Sequence, residues 1–227
     1  MTAQLSLPLR AWGGARRRAG RKQTLPGRPR VAHRARPEHR RAHPVHVTLR
    51  ASRCVPSLRR LIHAVRTAIR RASRDAFRII EFSVQTDHLH LLVEADDKAA
   101  LAGGIRGLAI RVARSVNRAV GRAGSVWSDR YHARALTTPR EVRNVLVYIL
   151  LNAKKHCHAV LNGIDGCSSA PWFDGFVHDA PACDATGEAR PPPDAEPSPV
   201  RAARTWLASR GWRRLGLIGR TEAPRSA

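Results

Sequence analysis

The sequence predicts an α+β fold of the ferredoxin-like, split βαβ type: a four-stranded antiparallel sheet with two helices on one face and an extra C-terminal helix. Three observations carry this. Between residues 44 and 162, stretches with two-residue alternation and stretches with helical spacing follow one another as β-α-β-β-α-β-α, and the first six are the split βαβ order. Only Thr86 and Asp87 separate the second and third strands, which suits an antiparallel hairpin. The last segment opens on Thr138-Pro139-Arg140-Glu141, a helix start with Thr as N-cap, Pro at the first position and Glu at the third.

In chain order, residues 45–51 alternate and are β-branched, which predicts strand one. Residues 55–74 follow, with Leu58, Leu61, Ile62, Val65 and Ile69 at helical spacing and arginines elsewhere. Residues 77–85 read as strand two. Residues 87–94, Asp-His-Leu-His-Leu-Leu-Val-Glu, read as strand three. Asp96 and Asp97 open a second helix over 98–120, whose apolar positions are Leu101, Ile105, Leu108, Val112 and Val116. Gly103 and Gly104 are poor helix formers and allow a break there. Residues 126–138 read as a loop into strand four. The third helix is expected from Thr138 to about residue 158.

Side chains alternate across a strand, so His88 and His90 share one face of strand three while Leu89, Leu91 and Val93 share the other. The leucine face suits packing on helices. The histidine face, on the open side of the sheet, suits a divalent cation between two imidazoles; a half-polar strand surface is the plain alternative. On the third helix Tyr148 and Asn152 lie four residues apart, on one helical face, and Lys155 continues it. A nearby cation favours phenolate, so a tyrosine beside a metal-holding pair is a candidate nucleophile. Asn152 offers an amide oxygen as a third ligand, and such a donor set suits Mg²⁺ or Mn²⁺ in use. Tyr131 is the rival tyrosine: it follows Arg130, sits near Trp127, and could stack on a base or simply pack in a strand. Single histidines such as His46 and His132 read as surface or structural residues. Asp87 reads as a turn residue or as the acceptor that orients His88.

The 227 residues carry a formal net charge of +24, the footprint of a polyanion partner. The four cysteines have neither C-x-x-C nor zinc-finger spacing, so a structural zinc site and a disulfide framework are both disfavoured. No apolar run is long enough to span a membrane, and the N-terminus has no signal-like apolar core. A cytoplasmic, nucleoid-associated protein is expected. Residues 1–43 read as a disordered basic arm in which Gly27-Arg28-Pro29-Arg30 resembles an AT-hook, so Arg28 and Arg30 are candidate DNA contacts. Arg106, Arg111, Arg114 and Arg118 on the second helix, with Arg130, Tyr131 and Lys155, are the other candidate DNA-binding residues. Residues 163–198 read as a linker, 199–217 as a basic tryptophan-bearing helix, and 218–227 as a tail.

Three motifs together resemble a known family. His88-Leu89-His90 resembles the His-hydrophobic-His motif of the single-tyrosine HUH transposases of the insertion-sequence-200-like type. Trp127 to Arg134 resembles the Leu-Trp-Gln-x-Arg-Tyr stretch of the REP-associated tyrosine transposases. Tyr148-Ile149-Leu150-Leu151-Asn152 resembles their Tyr-Ile-x-x-Asn-Pro helix, with Ala153 in place of the proline. The resemblance implies metal-dependent cleavage and rejoining of single-stranded DNA at hairpin-bearing element ends through a 5′-phosphotyrosine, in DNA transposition and recombination. It makes Tyr148 the nucleophile, His88 and His90 the metal ligands, and Asn152 the third ligand where related enzymes hold a glutamine. A homodimer is allowed, with the tyrosine serving its own or the partner's site. The competing reading is a non-catalytic, domesticated nucleic-acid-binding protein of the same fold. A metallo-β-lactamase-like hydrolase would need Asp-His after the pair, where Leu91-Leu92 stand.

Overall fold

The computed structural model describes residues 37–155, 164–177 and 197–224. The basic arm with Arg28 and Arg30, and most of the expected linker, lie outside the described residues. Four strands, β1 (Val45–Arg50), β2 (Phe77–Val84), β3 (His88–Ala95) and β4 (His132–Ala135), form one antiparallel sheet in the order β2-β3-β1-β4. Helices α1 (Ile62–Arg70, entered through a 3₁₀ turn at Leu58–Leu61), α2 (Lys98–Ala119) and α3 (Pro139–Leu150) complete the split βαβ frame with its extra helix. The expected element order therefore holds, with boundaries shifted by a few residues.

Alternation divides the sheet into two apolar faces. Val47, Leu49, Leu89, Leu91 and Val93 pack with Val65 and Ile69 of α1 and Ile105, Leu108 and Val112 of α2. On the opposite face Ile80 and Leu92 pack with Val145, Leu146 and Ile149 of α3. The histidine face of β3 is thus partly roofed by α3 rather than open. Asp97 caps α2 by accepting from the Ala100 N–H at 2.7 Å, and α2 runs unbroken through Gly103 and Gly104. Gly104 is there for closeness: a Cβ would lie 2.1 Å from the Phe77 ring, so its absence lets α2 settle onto β2.

Helix α3 starts as expected, with Thr138 and Glu141 forming a reciprocal capping box. It stops earlier than expected. The chain leaves the helix at Leu151 and makes a short turn, α4 (Asn152–Lys155). Residues 149–153 are all buried. Five consecutive side chains at 100° spacing cannot all lie on one side of a straight helix, and the break lets them. Tyr148 and Asn152 consequently do not sit on one continuous helical face.

The C-terminal region also differs from expectation. The start of the expected linker is structured. Arg59 grips the buried Asp165 with two bonds of 2.8 and 2.9 Å. The Val84 N–H donates to Cys167 O and the Ser169 N–H to Phe82 O, while the Arg201 N–H reaches Ile79 O. These bonds cover the outer edge of β2, which would otherwise be an open edge strand. The single helix expected over 199–217 is instead a short α5 (Trp206–Ser209) followed by a 3₁₀ turn, Gly211–Leu215. The bend serves packing. Gly211 lies so close to the Trp206 ring that a Cβ would meet it at 2.8 Å. Trp212 is driven into the α3 core, stacked on Phe173 at 5.6 Å. Arg143 of α3 binds the Glu222 carboxylate through both Nη atoms (2.7 and 2.9 Å) and the carbonyls of Gly216 and Leu217. The C-terminal segment thus straps α3 to the sheet.

Candidate active site

Strand β3 places His88 and His90 on the α3 side of the sheet. The register sets Thr48 opposite His90 and His46 opposite Leu92, on the neighbouring β1. Four side chains therefore meet. His90 Nδ1 lies 3.1 Å from Thr48 Oγ1 and 3.3 Å from His46 Nε2. The His88 and His90 rings stand edge to face at 4.6 Å. Helix α3 lays Tyr148 over this group, with its hydroxyl 3.4 Å from His90 Nε2 and its ring 4.9 Å from the His90 ring. Tyr148 and the two histidines of the motif, 58 and 60 residues apart, are brought together by the sheet and α3.

Outside this group, Asp87 orients His88: Asp87 Oδ1 is 2.7 Å from His88 Nδ1, and Asp87 Oδ2 accepts from Arg50 at 2.7 Å. Burial pushes the Asp87 carboxyl up, but the His88 hydrogen bond and the Arg50 charge outweigh it and hold it below its usual range. A carboxylate on the far nitrogen of an imidazole fixes which nitrogen faces the site.

His46 is the residue that sequence reasoning set aside. It is buried, its ring is 5.4 Å from that of His90 and 5.9 Å from that of Tyr148. Burial, helped by the charges of Arg134 and His132, lowers its pKa to about 4, so it is neutral at physiological pH. The signal was present in the alternation of Val45-His46-Val47-Thr48, which puts His46 and Thr48 on one face. Only the β1–β3 register shows that this face is the histidine one.

Two imidazoles on one strand face, His88 and His90, are a donor pair for a divalent cation. Asn152 is fully buried, and both its amide atoms lack a hydrogen-bond partner. Gln85 and Asn117 also carry buried amide oxygens without a hydrogen-bond partner, and either an ordered water or an ion satisfies such groups. Among the described residues no three His, Cys, Asp or Glu side chains converge on one point. An amide oxygen is a hard donor suited to Mg²⁺ or Mn²⁺.

The other candidates lie elsewhere. Arg106, Arg111, Arg114 and Arg118 belong to α2, on the opposite side of the sheet from Tyr148. Tyr131 and Trp127 pack with that same helical core, where the Trp127 indole N–H donates to Ala109 O at 2.9 Å. Of the two tyrosines only Tyr148 is beside the histidines. Lys155 ends α4.

Residues 43–152 match the family model described as "Transposase IS200 like". No curated protein matches the chain. Among solved structures, a REP-associated tyrosine transposase bound to a REP hairpin superposes with a TM-score of 0.51 at 19% identity, covering 61% of this chain and 82% of that one. At that identity the likeness concerns the fold. A protein of Deinococcus radiodurans R1, provisionally named a transposase, covers 58% of this chain and 100% of its own with a TM-score of 0.34 and 14% identity, too low to bear on the fold.

Proposed function

With residues 43–152 a domain of the IS200-like transposase family, we propose that this protein cleaves and rejoins single-stranded DNA at hairpin-bearing ends, with Tyr148 as nucleophile. The observation that carries the reading is the contact of the Tyr148 hydroxyl with His90, over a histidine pair oriented by Asp87 and Thr48. The Tyr148 oxygen attacks the scissile phosphorus and its proton passes to solvent. The bond from phosphorus to the 3′ oxygen breaks, and that oxygen takes up a proton as the free 3′ hydroxyl. The 5′ end stays joined to Tyr148 until a second 3′ hydroxyl attacks the phosphotyrosine and restores a phosphodiester. Because each step exchanges one phosphoester for another, no external energy source is required.

His88, His90 and the Asn152 amide oxygen are the residues that would hold Mg²⁺ or Mn²⁺, which when bound polarises the phosphate and eases phenolate formation. Asp87 and Thr48 engage the Nδ1 atoms, which directs both imidazoles to the site through Nε2. His46, buried and neutral, backs the His90 ring without adding charge. The strap through Arg143 and Glu222 keeps α3, and hence Tyr148, in register with the histidines. The arginine excess supplies backbone contacts to DNA that carry no sequence information.

The direct test is incubation with end-labelled hairpin DNAs bearing single-stranded flanks, with and without Mn²⁺ or Mg²⁺, on a denaturing gel. The expected product is a protein–DNA adduct that mass spectrometry maps to Tyr148. DNA binding with no adduct across a broad hairpin set would instead favour the binding-protein reading.

Asn152 offers a separate check. In EDTA, Asn152→Leu removes two unsatisfied buried polar atoms, each worth about 1–3 kcal/mol, at similar volume. The variant is expected to melt at or above the wild-type temperature without metal and to lose the stabilisation that Mn²⁺ gives the wild type. A variant that melts well below wild type in EDTA would show the amide is structurally satisfied.

A further inference from the structure

A second concavity lies on the other side of the sheet. It encloses about 480 Å³, within the range of ligand pockets. Its floor is apolar, from Leu49 of β1 and Leu101 and Ile105 of α2. Trp127 and Tyr131 form an aromatic wall, and the Trp127 indole is locked by its bond to Ala109 O. Arg106 of α2 and the adjacent Asp129 and Arg130 also line it.

This composition is that of a base site. An apolar floor and aromatic wall match the π-face of a nucleobase. Asp129 is the one carboxylate in a lining that also holds Lys98, Arg106 and Arg130, and its Oδ1 accepts from the Arg130 N–H at 2.7 Å; a carboxylate there can also accept from an exocyclic amino group such as that of cytosine. The lining arginines match the backbone on either side.

The edge strand connects this pocket with the candidate active site. Tyr131 and Ala133 pack on the helical side, whereas His132 and Arg134 oppose Thr48 and His46 on β1. Consecutive residues at the start of β4 therefore serve both faces. β4 is short, with both ends exposed, and forms the margin of the sheet.

We infer that this pocket holds one unstacked base of the same DNA strand whose phosphate lies at Tyr148, the strand crossing the sheet margin over β4. The inference rests on the transposase reading above.

The test uses full-length protein and hairpin DNA with single-stranded flanks, in which one flank nucleotide at a time is made abasic. Affinity is measured by fluorescence anisotropy, and adduct formation on the intact oligonucleotide is measured in parallel. One flank position is expected where base removal weakens wild-type binding about tenfold or more. That penalty vanishes in Tyr131→Ala and also in Ala102→Phe, at an α2 residue that lines the same cavity, where the new ring fills it without removing a wall residue. Melting curves establish that both variants are folded. If adduct forms but no position distinguishes wild type from the two variants, the pocket has some other occupant and the inference fails while the transposase reading stands. If no intact oligonucleotide gives adduct, the transposase reading fails and this inference with it.

Discussion

Tyr148→Phe is expected to abolish the covalent protein–DNA product, by on the order of 10⁴-fold or more, while leaving DNA affinity within about twofold of wild type. The argument is positional. Tyr148 is the one tyrosine beside the histidines, its hydroxyl 3.4 Å from His90 Nε2. Phenylalanine keeps the ring that packs edge-on to His46 and His90 and removes only the oxygen that would become the ester. Tyr131→Phe serves as the control. Tyr131 sits with Trp127 in the helical core across the sheet, so this variant is expected to form adduct at near wild-type yield once DNA is saturating. The measurement is the amount of gel-retarded, protease-sensitive DNA, with binding followed separately. An adduct that persists in Tyr148→Phe and disappears in Tyr131→Phe would move the chemistry to the other face and overturn the site described here.

The largest effect on stability is expected at Glu94. Its side chain is 1% exposed and pairs with the 8% exposed Arg78 at 2.7 Å. It also accepts from the N–H groups of Arg204 and Thr205 and from the Thr205 hydroxyl. One carboxylate on β3 thus neutralises a buried guanidinium and holds the entry to the C-terminal strap. Glu94→Ala leaves Arg78 buried without its counter-charge and frees three donors, and breaking a buried pair in this way costs about 3–5 kcal/mol. Urea unfolding should show a lowered midpoint of that size. Limited proteolysis should show earlier cleavage near residue 204. Because Thr205 also caps α5 through the Ala208 N–H, the strap loses its start as well as its anchor. A loss under about 1 kcal/mol would mean that Arg78 finds another partner and that Glu94 does not hold the strap.

The strap also explains how α3, which carries Tyr148, is held against the sheet. Helix α3 carries a long apolar face, and β2 and β3 cover only part of it. Trp212, Phe176 and Ile218 bury the rest, and Arg143 fixes the chain end through Glu222. Hydrogen bonds from Arg143 draw the Glu222 carboxyl below its usual range. The tether is therefore an ion pair at neutral pH. Its two side chains are 18% and 33% exposed, so its contribution is modest, and Trp212 packing dominates.

By itself the sequence determined the frame. The alternation of Val45 to Thr48 and of His88 to Val93, the helical spacing of Leu101 to Val116, and the Thr138–Glu141 cap are local signals. Each reports a backbone choice made within a few residues, so each could be read directly. The pairing of His88 with His90 on one face followed from the same two-residue period. What only the tertiary structure decided is which faces meet. The β1–β3 register put Thr48 and His46, which by sequence read as a surface or structural residue, against His90. The placement of α3 across the sheet separated Tyr148 from Tyr131 by a whole layer and put the α2 arginines on the far side. The break at Leu151 and the folding of 199–217 into two short turns depended on burying Asn152 and Trp212. Those burials are long-range events, set by surfaces the local sequence does not contain, and no spacing rule within the segment could announce them.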